Sequence, residues 1–578
     1  FAGRQNDIQG LGDNMNGNWI SGIPFIDNMM LGNQSELPDT YKNNKARNKY
    51  YLLPFILGIL GMVFQYRKNQ KGKQDFWVVC ILFFMTGLAI ILFLNQAPNE
   101  PRERDYAYAG SFYAFAVWIG LGVLWLWDKM RRHMPESRSA LLASIVALIA
   151  VPANMAAENW DDHDRSGRYA TIANAKNYLN SCAPSAILFS YGDNDTFPIW
   201  YAQEVEGIRR DIRLVNLSLL AGGWYIDQMK RMAYESPGVP ISLTQDQYGE
   251  GKREGIVILD ELESLNIKEA VKFVASDDIR TKRKLLYGED AINYIPTRTL
   301  ILPVDSAKVI NSGLVSREDA DKILKEIKIE LKGNVINKSE FEVLDIIATN
   351  NWERPIYFGV GMGRNSYMGL EDYFQLEGVT YKFVPIKTPK TKGSDDFGRI
   401  NSSILYDNLM NKFEWGNIKN PKVNMDFFHR NNIGVMKYRN TFLRLAEKLF
   451  EEGKKEKALE VLNKSLEELP VSQIGSDSYL LYYIPLLYEL KANEKANDLI
   501  EILARESYQN IRYVLSLKPS KRGFTTPDIN KELQITQLLI QLSYGAEEKE
   551  LAERIKNETE ALLGQTVFQF PKENKTEK

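Results

Sequence analysis

Four long runs without charge crowd the first third of the chain, and they decide the solvent in which this part must fold. Tyr50 to Tyr66 (YYLLPFILGILGMVFQY) and Phe76 to Leu94 (FWVVCILFFMTGLAIILFL) carry no charged residue. At about 17 and about 19 residues, they are long enough to cross a ~30 Å hydrocarbon layer at 1.5 Å per residue. Tyr106 to Trp127 is likewise uncharged and carries Tyr and Trp toward both ends, the pattern of interfacial belts. Ser139 to Ala157 is weaker, since Pro152 and its alanines also suit a buried soluble helix, but three neighbouring spans favour a fourth. The expectation is an external loop region over 1–49 and four transmembrane helices within 50–157.

Orientation follows less directly. The short loops around Arg67, Lys68, Lys71 and Lys73, and around Lys129, Arg131, Arg132 and Arg138, are densely basic. The positive-inside tendency places them in the cytoplasm, and hence the Arg102 loop and everything after Ala157 outside. Lys42, Lys45, Arg47 and Lys49 crowd the other end of the first span and weigh against this arrangement. The localisation expected is a bacterial inner membrane, multi-pass, with a large periplasmic C-terminal region. The chain opens on Phe1 without initiator methionine or signal-peptide pattern, which reads as a chain whose beginning lies elsewhere.

Composition removes several function classes. Lys and Arg total 72 against 74 Asp and Glu, so there is no basic surplus for a nucleic-acid backbone. Two cysteines, Cys80 in an apolar run and Cys182 far from it, build neither a disulfide framework nor a thiolate zinc site. Three scattered histidines, His133, His163 and His429, argue against His-rich metal sites and a Ser-His-Asp triad, and leave open a single histidine as general base. Carboxylates and arginines are left to carry any chemistry.

Beyond Ala157 the apolar runs shorten. AILFSYG (Ala186 to Gly192), DNDTFPIWYAQEVEG and IRLVNLSLL (Ile212 to Leu220) read as a β-α-β unit. GIVIL, TLILPV and PIYFGV are further strands, and SREDADKILKEIKIEL (from Ser316) is a charged helical stretch. The expectation over 158–390 is a soluble α/β domain with a mainly parallel sheet. Lys387 to Gly398 reads as a loop or linker. From about Met425 the pattern is helical, with a helical repeat-like domain over 425–570. Ala446, Gly453, Ala458 and Pro470 fall at tetratricopeptide offsets, with Phe442, Leu445, Leu449 and Leu462 as the apolar face. A generic helical bundle is the alternative. Tyr479 to Arg505 is a poorer second unit: Ile484 and Ala496 repeat the spacing, the glycine is missing and Pro485 intrudes.

Three constellations could carry chemistry. In NEPRERDYAYAG, Arg102, Glu103, Arg104 and Asp105 form four consecutive charges at a membrane boundary. Guanidinium groups there suit a lipid phosphate through bidentate hydrogen bonds, or the four charges pair with one another and cap the span. In FAGRQNDIQG and GNWISGIPFIDN, Arg4, Asp7 and Trp19 lie among glycines and asparagines that favour an ordered loop on the same membrane side, where Arg4 and Asp7 could join the Arg102 loop in holding a lipid phosphate. In YGDNDTFPIWYAQEVEG, Asp193, Asn194 and Asp195 follow a strand at its C-terminal end, where open α/β sheets bind ligands. They could hold a divalent cation or a sugar hydroxyl. The plainer reading is that Asp195 or Thr196 caps the helix that Pro198 begins. No dinucleotide, P-loop or nucleophile-elbow motif occurs in a strand-to-helix context.

Together FAGRQNDIQG, GNWISGIP, APNEPRERDYAYAGSFYAFAVWIGLG, GDNDTFPIWYAQEVEGIRRDIRLVNLSLL and NNWERPIYFGV resemble the protein O-mannosyltransferase-like membrane family, also called domain of unknown function 2723 and glycosyltransferase family 117. The resemblance covers most of Phe1 to about Gly363, and the helical C-terminus agrees with a tetratricopeptide-like region in members. It implies a GT-C transferase: a multi-span domain using a lipid-phosphate sugar donor, with the acceptor on the non-cytoplasmic side. Such enzymes carry their catalytic Asp or Glu in the first external loop of a larger bundle, which would lie before Phe1, so no catalytic base is assigned here. What this implies is part of a glycosyltransferase moving a sugar, with mannose the candidate, from a polyprenyl phosphate to Ser/Thr of exported proteins. Arg102 and Arg104 would stabilise the departing phosphate. The competing reading is a non-catalytic membrane-anchored scaffold whose helical repeats hold other membrane or periplasmic proteins beside the bilayer.

Overall fold

Three helices of the computed structural model, Gln70–Leu94, Tyr106–Met130 and Glu136–Asn159, are long and apolar enough to cross a membrane. The structure describes residues 3–4, 20–95, 104–284, 291–388, 396–426, 429–430, 433–522, 528–564 and 568. Two units are resolved within it: Phe1–Ser166 with Asp426–Phe428 and Leu487–Lys578, and Gly167–Met425 with His429–Leu486.

In the first unit, the run at Tyr50 to Tyr66 forms helix α1 (Leu53–Lys68), of 16 residues, with proline in its first turn. At 1.5 Å per residue it rises about 24 Å, short of a full ~30 Å layer. It lies against helix α2 (Ala109–Met130) through glycines. A Cβ added at Gly61 would stand 1.8 Å from the Trp118 carbonyl oxygen, and one at Gly122 2.2 Å from that of Leu57. Small residues let helix backbones close up where lipid supplies no hydrophobic drive. Trp118 is buried at this seam and donates its indole N–H to Gln65 Oε1 at 2.9 Å. Phe93, by contrast, is 88% exposed, as suits a ring that faces acyl chains.

The segment before α1 returns to the end of the last apolar helix. Asn48 Nδ2 and Tyr50 Oη donate to Asn159 Oδ1 at 2.9 and 2.8 Å, and the Lys49 amide donates to Glu158 Oε2 at 2.7 Å. Further upstream, Leu37 packs with Tyr513, Val514 and Leu517. Tyr513 Oη donates to the Leu31 carbonyl at 2.9 Å, and Arg512 pairs with Glu36. Residues 31–37 are thus bonded to the helix Asn493–Ser516 and its C-terminal turn.

The second unit is built on a six-stranded sheet. Its strands are β1 (Ile187–Ser190), β2 (Arg213–Asn216), β3 (Ile356–Gly359), β4 (Phe374–Leu376), β5 (Thr380–Phe383) and β6 (Arg399–Ile400), in the order β6-β4-β5-β3-β1-β2. The β-α-β reading holds: β1 and β2 are adjacent and parallel, Leu188 opposite Leu214, and helix Asp193–Glu204 joins them. All four residues of β1, β2 and β3 are buried, as expected of strands covered on both faces.

The expectation of one mainly parallel sheet is corrected. β5 runs antiparallel to both β3 and β4, so the sheet is mixed. Gly255–Ile258 belongs to a four-stranded sheet and Thr299–Pro303 to a three-stranded one. The helix expected in SREDADKILKEIKIEL is also corrected: Arg317–Lys322 is a short 3-10 turn and Glu326–Glu330 a strand paired with Thr299–Pro303. Ile327, Ile329 and Leu331 alternate inward while Glu326, Lys328 and Glu330 face out, a period of two. Of the expected linker, residues 389–395 lie outside the described residues, as does the tail after Phe570.

Helices α3 (Ala170–Asn180), α4 (Asp193–Glu204) and α5 (Lys338–Asn350) flank the sheets. An Asn337–Glu340 capping box starts α5. Helices α6 (Val435–Glu451) and α7 (Lys455–Glu468) form the hairpin expected from the repeat spacing. Phe442, Leu445, Ala446, Leu449, Ala458 and Leu462 are all buried, and Gly453 turns the chain at φ 75°. In the next turn, between helices Tyr479–Glu489 and Asn493–Ser516, Lys491 takes the left-handed conformation at φ 58° where the glycine is missing.

Candidate functional site

The turn from β1 into α4 is built by hydroxyls and an amide. Gly192 sits at φ 75°, its amide donating to Ser218 Oγ at 3.2 Å. Thr196 Oγ1 donates to the Gly192 carbonyl at 2.7 Å, lies 2.8 Å from Ser190 Oγ, and accepts from Asn216 Nδ2 at 3.0 Å. With this network in place α4 starts at Asp193. The expected caps are therefore corrected: Gly192 is the N-cap residue, neither Asp195 nor Thr196 caps, and Pro198 lies inside the helix.

Asp195 turns inward. Its Oδ2 accepts from Tyr178 Oη at 2.8 Å, and its Oδ1 stands 3.5 Å from Lys437 Nζ. Lys437 also donates to Tyr178 Oη at 3.1 Å and lies over that ring at 4.7 Å. Both charged side chains are nearly buried, 14% exposed for Asp195 and 11% for Lys437. Burial pulls the Lys437 ammonium below its ordinary pKa against the opposing pull of Asp195. Burial first, and then the Asp195 charge, push the Tyr178 phenol well above its own. A Cβ at Gly361 would sit 2.5 Å from Asp195 Oδ2, so this glycine leaves the room the carboxylate occupies.

Asp193 and Asn194, by contrast, are exposed on the first turn of α4. Asp193 and Asp195 are two residues apart on a helix, about 200° around its axis, so their carboxylates point to different sides. Among the described residues no group of three or more His, Cys, Asp or Glu side chains is placed to hold a metal ion. Sequence spacing carried no signal for Tyr178 or Lys437, which come from α3 and α6, Lys437 being 242 residues from Asp195.

Arg104 is exposed and stands directly before the 3-10 turn Asp105–Tyr108 that leads into α2. Its carbonyl accepts the Ala107 amide at 2.9 Å. Arg102 and Glu103 lie outside the described residues, as do Asp7 and Trp19. The backbone of Gly3–Arg4 pairs antiparallel with Arg47–Asn48, Arg4 opposite Arg47.

Residues 171–404 match the family described as TMEM260-associated domain 2. The match covers under half of the chain. It takes in the six strands and Asp193 to Asp195, and stops before Lys437. No curated protein and no solved structure matches the chain.

Proposed function

We propose that this chain is part of a GT-C-type membrane glycosyltransferase, moving a sugar from a polyprenyl-phosphate donor to Ser/Thr of exported proteins, with mannose the candidate sugar. The observation that carries the reading is the match of 171–404 to a TMEM260-associated domain directly after three apolar helices. That domain points to a glycosyltransferase-like context.

The contacts of the first unit support a four-crossing arrangement, and the membrane proposed is a bacterial inner one. Leu31 to Leu37 pack on Tyr513 and its neighbours, and Asn48 and Tyr50 bond to Asn159, so these segments share one side. Equal sides require an even number of crossings between residues 50 and 159, and three apolar helices alone would give an odd one. α1 supplies the fourth, its short rise being met by local thinning of the bilayer or by its flanking residues. The common side is the external one, following the basic loops.

On this reading Arg104, at the external mouth of α2, grips the donor phosphate together with Arg102. An Arg-to-Lys change keeps the charge but loses the planar fork. Arg104→Lys is therefore expected to weaken binding of polyprenyl phosphate by about ten- to a hundred-fold, as loss of one charge-assisted hydrogen bond would. Titration of the lipid into nanodisc-embedded protein measures it. Unchanged affinity, with a lowered melting temperature on removing the charge, would mean that the arginine serves only the local charge cluster.

A further inference from the structure

The outward face of α4 carries a set of side chains that neither the sheet nor the Asp195 cluster uses. Successive helical residues turn by about 100°, so Asp193, Asn194, Phe197, Tyr201 and Val205 share one side. All five are exposed, Phe197 at 52% and Tyr201 at 49%. The Trp200 ring stacks on Phe197, with centroids 5.4 Å apart and planes 18° apart, which holds the Phe197 ring while half of it meets solvent. Exposed aromatic clusters on a water-facing domain mark binding surfaces.

Charge narrows the occupant. Between Asp193 and Glu206 the chain has four carboxylates and no Lys, Arg or His. Asp195 is neutralised by Lys437, and Glu204 accepts from the Tyr234 hydroxyl. Phosphates and anionic headgroups are thus repelled, and the basic side chains that follow the helix, Arg209 and Arg210, are taken up by Asp211 and Glu235 rather than offered to an anionic bilayer. What remains open beside the rings is a carboxylate and a carboxamide, Asp193 and Asn194, one turn away. A neutral sugar fits that pair of features. Its C–H face is apolar and weakly positive, matching the negative face of an aromatic ring, and its neighbouring hydroxyls donate to paired oxygen acceptors.

We infer that Asp193, Asn194, Phe197 and Trp200 form a subsite for a neutral hexose unit of a glycan. The inference rests on the glycosyltransferase reading only for which sugar is tried first. Its test is binding of mannobiose and cellobiose to the full chain in nanodiscs, followed by saturation-transfer NMR. Expected are saturable binding of at least one disaccharide, a loss of about tenfold or more for Phe197→Ala and for Asp193→Ala, and recovery in Phe197→Trp. Melting temperatures of the variants should stay at the wild-type value, because these side chains are exposed. Absence of saturable binding by the wild-type chain, or equal binding by Phe197→Ala, overturns the subsite. Phe197-dependent binding of phosphatidylglycerol vesicles or of a lysine-rich peptide, in place of sugar, overturns it as well. Sugar binding is read without donor or transfer, so failure of the transferase reading leaves this result standing, and failure here leaves donor binding untouched.

Discussion

Replacing Arg439 by Met should destabilise the second unit by about 3–5 kcal/mol, the cost of leaving one buried charge without its partner. Arg439 on α6 is 1% exposed and Asp477 8%. The guanidinium donates to Asp477 Oδ2, to the Leu469 carbonyl at 3.0 Å and to that of Gly475 at 3.1 Å. It thereby ties α6 to the chain that leaves α7. Met fills much the same space but donates nothing, so a carboxylate and two carbonyls lose their donors together. Thermal unfolding of the full chain in detergent measures the loss. The double variant Arg439→Met with Asp477→Leu should recover a large part of it, because no buried charge is then left alone. A single variant as stable as wild type would show that the pair adds nothing.

The opposite sign is expected at Glu342 on α5. This side chain is fully buried, and among the described residues neither carboxylate oxygen meets a hydrogen-bond donor. Burial first, and then the neighbouring Asp345, push its pKa from 4.5 up to about 8, against smaller opposing effects of Lys230, Lys338 and Arg253. Asp345 holds its place through bonds from the Ser242 amide at 2.7 Å and hydroxyl at 2.6 Å. The folded state therefore keeps a proton that the unfolded chain releases near pH 4.5. This contribution is fully present below about pH 4.5, declines as pH rises toward about 8, and is flat above. Glu342→Gln removes the titration. It should be near neutral at pH 5 and stabilise the unit by on the order of 3 kcal/mol at pH 8. Equal effects at the two pH values would mean that the folded state holds Glu342 ionised.

Much of this architecture was legible in local pattern. Two apolar runs, the first ending in Gly192, located β1 and β2, and Gly453 with the small residues Ala446 and Ala458 located the α6–α7 hairpin. The strand at Glu326–Glu330 was misread because its charges suggested a solvated helix, although Ile327, Ile329 and Leu331 already alternated. Sheet membership was not legible, since Ile187, Ile256 and Leu300 sit in equally apolar runs and only tertiary pairing sends them to three sheets. The role of Asp195 depended on Tyr178 and Lys437, whose approach is set by the packing of α3 and α6. Asp193 and Asn194 were readable as candidates from the end of β1, but the exposed rings of Phe197 and Tyr201 carried no signal in a segment that read only as a capped helix.

If the chain belongs to an enzyme that places sugars on exported proteins, the Ser/Thr glycopeptides of those proteins should differ between cells with and without the gene. A defined set of hexose-modified sites is expected to disappear in the deletion and to return with the wild-type gene. An unchanged glycopeptide profile, with loss only of proteins that co-purify with the chain, would overturn the transferase and leave a membrane-anchored scaffold.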